Sequence, residues 1–170
     1  MSQEVPWEGK YIRVVRDGSW EYVQRVGGVR AVVILAEHEG RLVLIEQPRV
    51  PLGGRKSVEL PAGLVGDEDP DATVEETAVK ELEEETGFTA GRIEVLGEFF
   101  SSPGMVAESY TLVRAHELVK TGDGGGTEHE QIEVHLVARA DVASFVAGKR
   151  AEGAAIDTKL LLLLADQLLG

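Results

Sequence analysis

The sequence predicts an α+β fold, an α/β/α sandwich built around a mixed β-sheet. Three observations support this prediction: strand-like runs recur along the chain, a few helix-like segments stand apart from them, and no internal repeat is present. The runs are rich in valine, isoleucine, tyrosine and tryptophan. They are YIRVV (11–15), WEYVQRV (20–26), RAVVILA (30–36), RLVLIEQ (41–47), IEVLGEFF (93–100), SYTLVRA (109–115) and IEVHLVA (132–138).

Local signals between and after these runs predict the turns and helices. AEHEGR separates the third run from the fourth and predicts a hairpin. A helix is expected over 73–86, where Thr73 is the N-cap and Glu76, three residues on, completes a capping box. Two further helices are expected at 141–148, behind Asp141, and at 158–169, behind Asp157 or Thr158. The last is apolar on most faces, so we expect it to pack on the sheet.

Composition limits the classes of partner. The chain has 170 residues, which is one domain's worth, and its formal net charge is −13. That charge argues against binding nucleic acid or an anionic membrane through a basic surface. There is no cysteine, the N-terminus lacks the basic and apolar regions of a secretory signal, and no apolar run approaches the ~20 residues of a membrane span. A cytoplasmic protein is expected.

The segment KELEEETGF (80–88) concentrates four glutamates on one predicted helix. At 3.6 residues per turn, Glu81, Glu84 and Glu85 fall within an arc of about 100°, whereas Glu83 points away. Three carboxylates on one face repel each other unless a cation lies among them, and hard oxygen ligands suit Mg²⁺ or Mn²⁺. A solvated acidic face is the alternative. Ten carboxylates against one base between Gly63 and Gly87 favour the metal site.

These residues carry a resemblance to a known family. ELPAG followed by VEETAVKELEEETGF resembles the Nudix box, G-x5-E-x7-R-E-U-x-E-E-x-G-U, with Lys80 in the arginine slot. The first half of the box departs from the pattern. Counting back from Gly87 puts Gly66 in the first slot and Ala72 in the glutamate slot. Anchoring on PAG instead makes Gly63 the first glycine and Asp69 the substitute acid, which we prefer.

The resemblance implies a fold, a cofactor and a reaction. We expect a Nudix-like sandwich that hydrolyses a diphosphate linked to another moiety, with Mg²⁺ as cofactor and Mn²⁺ able to substitute. Glu81 and Glu85 would be the principal metal ligands, Glu84 would assist in binding and catalysis, and the Ala62 carbonyl would complete the coordination.

The flanks of the box resemble the ADP-ribose pyrophosphatase branch of the family. LIEQPRVPLGGRKSVELPAG places Arg49 where the branch contacts substrate, and SSPG places Pro103 and Gly104 sixteen and seventeen residues beyond Gly87. Glu108 lies where the branch carries an acidic residue near the site. A surface arginine and an ordinary turn proline are the competing interpretations.

The N-terminal residues resemble the dimerisation strands of the same branch. The expected division is an extension at 1–28, an antiparallel β-structure that forms a homodimer, and a Nudix domain at 29–170. Trp20, in WEYVQR, would stack on the adenine. A packing role in the core or at the dimer interface is equally open for this tryptophan.

The glycine-rich TGDGGGTEHEQ (121–131) indicates a mobile loop, and EHEQIEVH (128–135) resembles the family's catalytic loop. Glu128 is the candidate general base, and Glu130 is a candidate base or additional metal ligand. A glycine hinge would let this loop close over the substrate. An ordinary polar loop is the alternative.

The predicted function is therefore metal-dependent hydrolysis of ADP-ribose to AMP and ribose 5-phosphate. A pyrophosphatase for another nucleoside diphosphate sugar, such as a GDP- or UDP-sugar, is the nearest alternative because no residue specifies the base. A third possibility is a non-catalytic ADP-ribose sensor of the same fold. The chain keeps all the box carboxylates from Glu81 to Glu85, which argues against a sensor.

Overall fold

The computed structural model describes residues 3–67, 69–127 and 130–169, which form two β-sheets. The first sheet is three-stranded and antiparallel, in the order β1-β2-β3. Its strands are β1 (Glu4–Glu8), β2 (Ile12–Asp17) and β3 (Trp20–Arg25). This sheet is the predicted N-terminal antiparallel extension.

The second sheet is mixed and has eight strands within the described residues. The strands are β4 (Arg30–His38), β5 (Arg41–Arg49), β6 (Arg55–Glu59), β7 (Ala62–Val65), β8 (Phe88–Phe100), β9 (Ser109–Lys120), β10 (Glu133–Ala138) and β11 (Ala155–Ile156). Their order is β11-β6-β5-β4-β9-β8, with β10 also paired to β5 and β7 to β4. The β4–β9 and β6–β11 pairs are parallel and the others are antiparallel, as a mixed sheet requires.

Helices cover both faces of the mixed sheet. They are α1 (Val74–Thr86), α2 (Val142–Ala151) and α3 (Leu161–Leu169). Because side chains alternate along a strand, β4 sends Val32 and Ile34 toward the α1 face and Val33 toward the face of α2 and α3. Each face buries its own apolar cluster, so the predicted α/β/α sandwich is confirmed. No helix among the described residues has the length and apolarity to cross a membrane.

The predicted elements are present with shifted ends. The helix α1 starts behind Thr73 with its capping box, and the hairpin between β4 and β5 turns at Glu39 and Gly40, both at positive φ. The helix α2 extends to residue 151, and α3 is preceded by a 3-10 turn at Thr158–Leu160. Four short strands were not predicted: β1, β6, β7 and β11.

The helix α3 packs on the core beside the sheet, as expected, but through one edge only. Leu164 is buried against the core, but Leu161, Leu162, Leu168 and Leu169 are exposed. The run of leucines therefore contributes one buried edge rather than a fully buried helix.

The N-terminal sheet docks on the loop that follows β8. The Val23 amide donates to the Met105 carbonyl at 2.9 Å, and the Ala107 amide donates to the Val23 carbonyl at 2.8 Å. Arg25 Nε forms an ion pair with Glu108 Oε1 at 2.6 Å. The extension is thus joined to the loop that carries SSPG.

Candidate active site

An acidic cavity of about 780 Å³ lies against α1, between β7, the end of β5, Thr127 and Glu130. One cationic side chain from β5, Arg49, and one from α1, Lys80, also line it. The acidic residues that line the cavity are Asp67, Asp69, Glu76, Glu81, Glu84, Glu85 and Glu130. This cavity brings together all five residues predicted from the sequence to bind metal, including Ala62.

The orientation of α1 determines which glutamates face the cavity. Leu82 and Ala78 are buried in the apolar cluster beneath the helix, which fixes its rotation. Glu81, Glu84 and Glu85 then line the cavity, and the exposed Glu83 does not. The helical spacing predicted this division of the four glutamates.

Glu85 is a buried carboxylate, with 5% of its surface exposed. Burial raises its pKa to about 8, and the negative charges of Glu81 and Glu130 add to the increase. The Ala62 amide donates a hydrogen bond to Glu85 Oε2 at 3.0 Å, which partly offsets this rise in pKa. A dication bound among these oxygens would favour the ionised form. The oxygen-only donor set fits Mg²⁺ or Mn²⁺.

Gly63 packs directly against the Glu81 side chain. A Cβ at residue 63 would overlap the Cγ, Cδ and Oε1 atoms of Glu81. Gly66 has open space around it and needs glycine only for its φ of 88°. The close approach supports Gly63 as the first glycine of the box. Asp69 and Ala72, the two candidates for the glutamate slot, both border the cavity.

The C-terminal carbonyls of α1 are all hydrogen-bonded, and residues 120–126 supply most of the donors. Such carbonyls lack partners within a helix and need other donors. Glu84 O accepts from the Gly126 amide at 3.0 Å, and Glu85 O accepts from the Gly125 amide at 2.9 Å. Glu83 O accepts from the Gly87 amide, and Thr86 O accepts from Lys120 Nζ. We name residues 121–127 the glycine segment.

The glycine segment is therefore docked on α1, and the expectation of a mobile loop is wrong for these residues. Its φ angles explain the composition, since Gly124, Gly125 and Gly126 are all at positive φ. Glu128, the candidate general base, lies outside the described residues. Glu130, on the far side of that gap, lines the acidic cavity.

Substitution of Gly124 by alanine should destabilise the protein. Gly124 has a φ of 71°, and a Cβ there would lie 2.6 Å from Thr86 Cα and 2.7 Å from Glu85 O, which are backbone atoms that cannot yield. We expect a loss of about 2 kcal/mol or more, which lowers the Tm by roughly 5 °C. Gly122→Ala is the matched control, because open space surrounds Gly122 and its φ is ordinary. Equal melting temperatures for the two variants would contradict the docking.

Arg49 is held at the edge of the cavity by a buried acid. Its Nε donates to Glu59 Oε1 at 2.8 Å and its Nη2 donates to Glu59 Oε2. These bonds raise the pKa of Arg49. Glu59 was missed from the sequence, although an acid two residues before PAG is a signal that could have pointed to it. Arg49 thus presents a fixed positive charge to an otherwise acidic cavity.

Three of the other predicted substrate residues lie around a second cavity, of about 720 Å³, between the N-terminal sheet and the loop after β8. Trp20, Pro103 and Gly104 line it, together with Tyr22. Glu108 pairs with Arg25 instead of lining either cavity. Within one chain, the predicted substrate residues are therefore divided between the two cavities and the ion pair with Arg25.

A model of the NUDIX domain family matches residues 26–161. The chain belongs to the Nudix family. It is 37% identical to the ADP-ribose pyrophosphatase of Bacillus subtilis (strain 168) over 131 residues, which cover 76% of this chain and 67% of the relative. It is 31% identical to the GDP-mannose pyrophosphatase of Klebsiella pneumoniae over 145 residues, which cover 81% and 69% of the two chains.

The family membership confirms the resemblance, the fold class and the enzyme class predicted from the sequence. The crystal structure of an ADP compounds hydrolase matches the whole Nudix chain and 93% of its own, with a TM-score of 0.72 at 21% identity, which supports the fold. The chain is a Nudix hydrolase, and enzymes of this family use divalent metal ions.

A second group of potential metal ligands lies outside the Nudix helix. Glu46, Glu133 and His135 place ligand atoms within 4.8 Å of one another. Lys149 Nζ lies 2.7 Å from Glu46, and His135 Nε2 lies 2.9 Å from the same carboxylate. Burial opposes ionisation of Glu46, but the bonds from Lys149 and His135 outweigh it and lower its pKa. Because Lys149 already neutralises Glu46, this group does not suit a cation. Its bonds instead hold β5, β10 and α2 together.

Proposed function

We propose that this Nudix hydrolase cleaves the diphosphate bond of ADP-ribose to give AMP and ribose 5-phosphate. The observation that carries the proposal is the acidic cavity, where Glu81, Glu84, Glu85 and Glu130 converge beside a fixed arginine, Arg49. A diphosphate is an anion, and these carboxylates would repel it without a cation. The two relatives, which are pyrophosphatases of nucleoside diphosphate sugars, support the substrate class.

Glu81 and Glu85 would hold Mg²⁺, with Glu84, Glu130 and the Ala62 carbonyl completing the oxygen donors, and Mn²⁺ could take its place. When bound, the metal would neutralise the diphosphate and make water a better nucleophile. Burial of Glu85 beneath the cavity keeps its oxygens away from bulk water and in fixed positions.

The remaining roles belong to side chains around the diphosphate. Arg49 would bind a phosphate oxygen, and its two bonds to Glu59 keep the guanidinium in one orientation. Glu128 or Glu130 would accept the proton of the attacking water. Glu130 lines the cavity, whereas Glu128 is a candidate from the sequence alone.

The substrates of the two relatives, ADP-ribose and GDP-mannose, differ in the base of the nucleotide. The second cavity offers the broad faces of Trp20 and Tyr22, and an aromatic face stacks on any base. ADP-ribose remains our preferred substrate because the SSPG spacing resembles that branch. A GDP- or UDP-sugar is the second candidate.

A panel of ADP-ribose, GDP-mannose and a UDP-sugar, assayed with Mg²⁺, tests the proposal. We expect the highest kcat/KM with ADP-ribose, release of AMP, complete loss of activity in EDTA and recovery with Mg²⁺ or Mn²⁺. Preference for GDP-mannose would support the second candidate. Undiminished turnover in chelator, or cleavage of none of the three, would overturn the proposal.

We also propose that the N-terminal sheet forms a homodimer. Trp7 and Trp20 on this sheet and Tyr11 in the turn between β1 and β2 are exposed, as are Phe99 and Phe100 at the end of β8. Exposed aromatic side chains in such number are typical of an interface. The mass in light scattering should then be about twice 18.3 kDa.

Replacing Trp20 with alanine should weaken substrate binding. If its ring stacks on the adenine, the variant should raise the KM for ADP-ribose about tenfold, since a stacked base is worth about 1–3 kcal/mol. The kcat at saturation should change little. Val119→Ala is the control, because Val119 is exposed on β9, away from the N-terminal sheet, and lines neither cavity. A wild-type KM for Trp20→Ala would leave Trp20 as a packing residue.

A further inference from the structure

The carboxylate of Glu130 is held by Thr127, a residue outside the Nudix box. Glu130 Oε2 accepts hydrogen bonds from the Thr127 amide at 2.9 Å and from the Thr127 hydroxyl at 3.1 Å. The Glu130 amide donates in return to the Thr127 carbonyl at 3.0 Å. The two bonds to the carboxylate restrict the rotamer of a side chain that would otherwise move freely at the surface, and the backbone bond closes the turn.

Gly126 restricts Glu130 from a second side. A Cβ at residue 126 would lie 2.7 Å from Glu130 Oε2 and 2.8 Å from Glu130 Cβ. The glutamate therefore packs against bare backbone, and Gly126 is at positive φ. Any movement of the carboxylate toward the glycine segment is blocked, so the side chain is confined to the side that faces the cavity.

The position of Thr127 is itself fixed relative to the Nudix helix. The amides of Gly125 and Gly126, just before Thr127, bond to the carbonyls of Glu85 and Glu84. These hydrogen bonds, the peptide link from Gly126 to Thr127 and the bonds of Thr127 therefore connect the backbone of two proposed metal ligands to the Glu130 carboxylate. Thr127 and Glu130 both line the acidic cavity.

We propose that Thr127 is a positioning residue that aims the Glu130 carboxylate into the acidic cavity. The inference rests on the proposed function, because that function gives Glu130 its role. Residues that orient a metal-site ligand through a hydrogen bond act by holding its geometry, and losing one typically costs about 10–100-fold in metal affinity or activity. Glu130 is thus prearranged by a docked segment rather than delivered by closure of a hinged loop.

The competing interpretation is a local turn in which Thr127 and Glu130 only satisfy each other. Thr127→Val removes the hydroxyl donor, keeps the branched shape and leaves the backbone amide, whereas Thr127→Ser restores the donor. With ADP-ribose and Mg²⁺, we expect Thr127→Val to lower kcat about tenfold with little change in KM. Thr127→Ser should recover activity to within about twofold of the wild type.

A double-variant cycle separates the two interpretations. If Thr127 acts through Glu130, the variant carrying both Thr127→Val and Glu130→Gln should be no slower than Glu130→Gln alone. Additive losses would overturn the proposal. Thr121→Val is the matched control within the glycine segment, because the Thr121 hydroxyl donates to Gly87 O at 3.2 Å and has no bond to Glu130. It should turn over at the wild-type rate.

Binding of Mn²⁺ to the substrate-free protein, followed by electron paramagnetic resonance, gives a readout independent of turnover. Thr127→Val should bind Mn²⁺ about tenfold more weakly, with recovery in Thr127→Ser and no change in Thr121→Val. An unchanged affinity in Thr127→Val would overturn the inference. Because this measurement needs no nucleotide, it decides the role of Thr127 even if ADP-ribose is not the substrate.

Discussion

Replacing Glu85 with glutamine should lower kcat for ADP-ribose about a thousandfold or more. The substitution keeps the size of the side chain and removes its charge, at the most deeply buried carboxylate of the acidic cavity. A loss of this size corresponds to about 4 kcal/mol at 1.36 kcal/mol per decade, which is within the range of a charge that stabilises the transition state. Steady-state assays with saturating Mg²⁺ measure it.

Glu83→Gln is the matched control for this prediction. Glu83 lies on the same helix, two residues before Glu85, but is exposed and does not line the cavity. It should retain wild-type kcat. If Glu85→Gln also retained activity, or if both variants lost it equally, the helix would not hold the metal in the orientation proposed here.

The same Glu85→Gln substitution should stabilise the metal-free protein, and more so at higher pH. The pKa of Glu85 is raised from 4.5 to about 8 in the folded state, mainly by burial. Below about pH 4.5 the carboxyl is protonated in both the folded and the unfolded states, so its ionisation costs nothing. As the pH rises from about 4.5 to about 8, the Glu85 carboxyl ionises in the unfolded chain but stays protonated in the folded one. The wild type therefore loses stability over this range, and the glutamine variant does not.

Denaturant unfolding in EDTA checks the sign of this effect. The free energy of unfolding of Glu85→Gln should exceed that of the wild type by more at about pH 8.5 than at about pH 5. Added Mg²⁺ should reverse the order, because it stabilises only a protein that binds it. A stability difference that does not change with pH would contradict the raised pKa of Glu85.

The Nudix helix could be predicted because its signals are local in the sequence. Thr73 and Glu76 form their capping box within four residues, and Gly87 ends the helix in a left-handed conformation with a φ of 70°. Those two ends fix the length of α1, and helical geometry then determines which glutamates share a face. Nothing outside residues 73–88 is needed for that conclusion.

The features that could not be predicted depend on contacts between distant segments. The strands β6 and β7 are five and four residues long and acquire their pairing from β5 and β4. The glycine segment was expected to be mobile from its composition, yet its amides meet carbonyls of α1 about forty residues earlier in the chain. Composition alone does not reveal such partners. The predicted substrate residues are divided between two cavities for the same reason, because the second cavity forms only where the N-terminal sheet docks on the loop after β8.

Replacing Gly63 with alanine should impair the enzyme while leaving it folded. The backbone at Gly63 has no positive φ, so alanine is tolerated there by the main chain. The added Cβ would collide with the side chain of Glu81, which is flexible and can move away. Its carboxylate would leave the position in which it faces Glu85 across the proposed metal site. Since a displacement of about 1 Å in a catalytic site can cost about a hundredfold, we expect kcat with Mg²⁺ to fall by that factor.

Gly148→Ala is the control, because Gly148 lies on α2 with open space around it and should tolerate alanine. The Tm of Gly63→Ala should stay close to that of the wild type, and a higher Mg²⁺ concentration should be needed for half-maximal activity. A variant that unfolds would place the strain in the backbone rather than in Glu81. Full activity at the wild-type Mg²⁺ requirement would show that Glu81 does not depend on the space that Gly63 leaves, and Glu81 would then lose its place as a principal ligand.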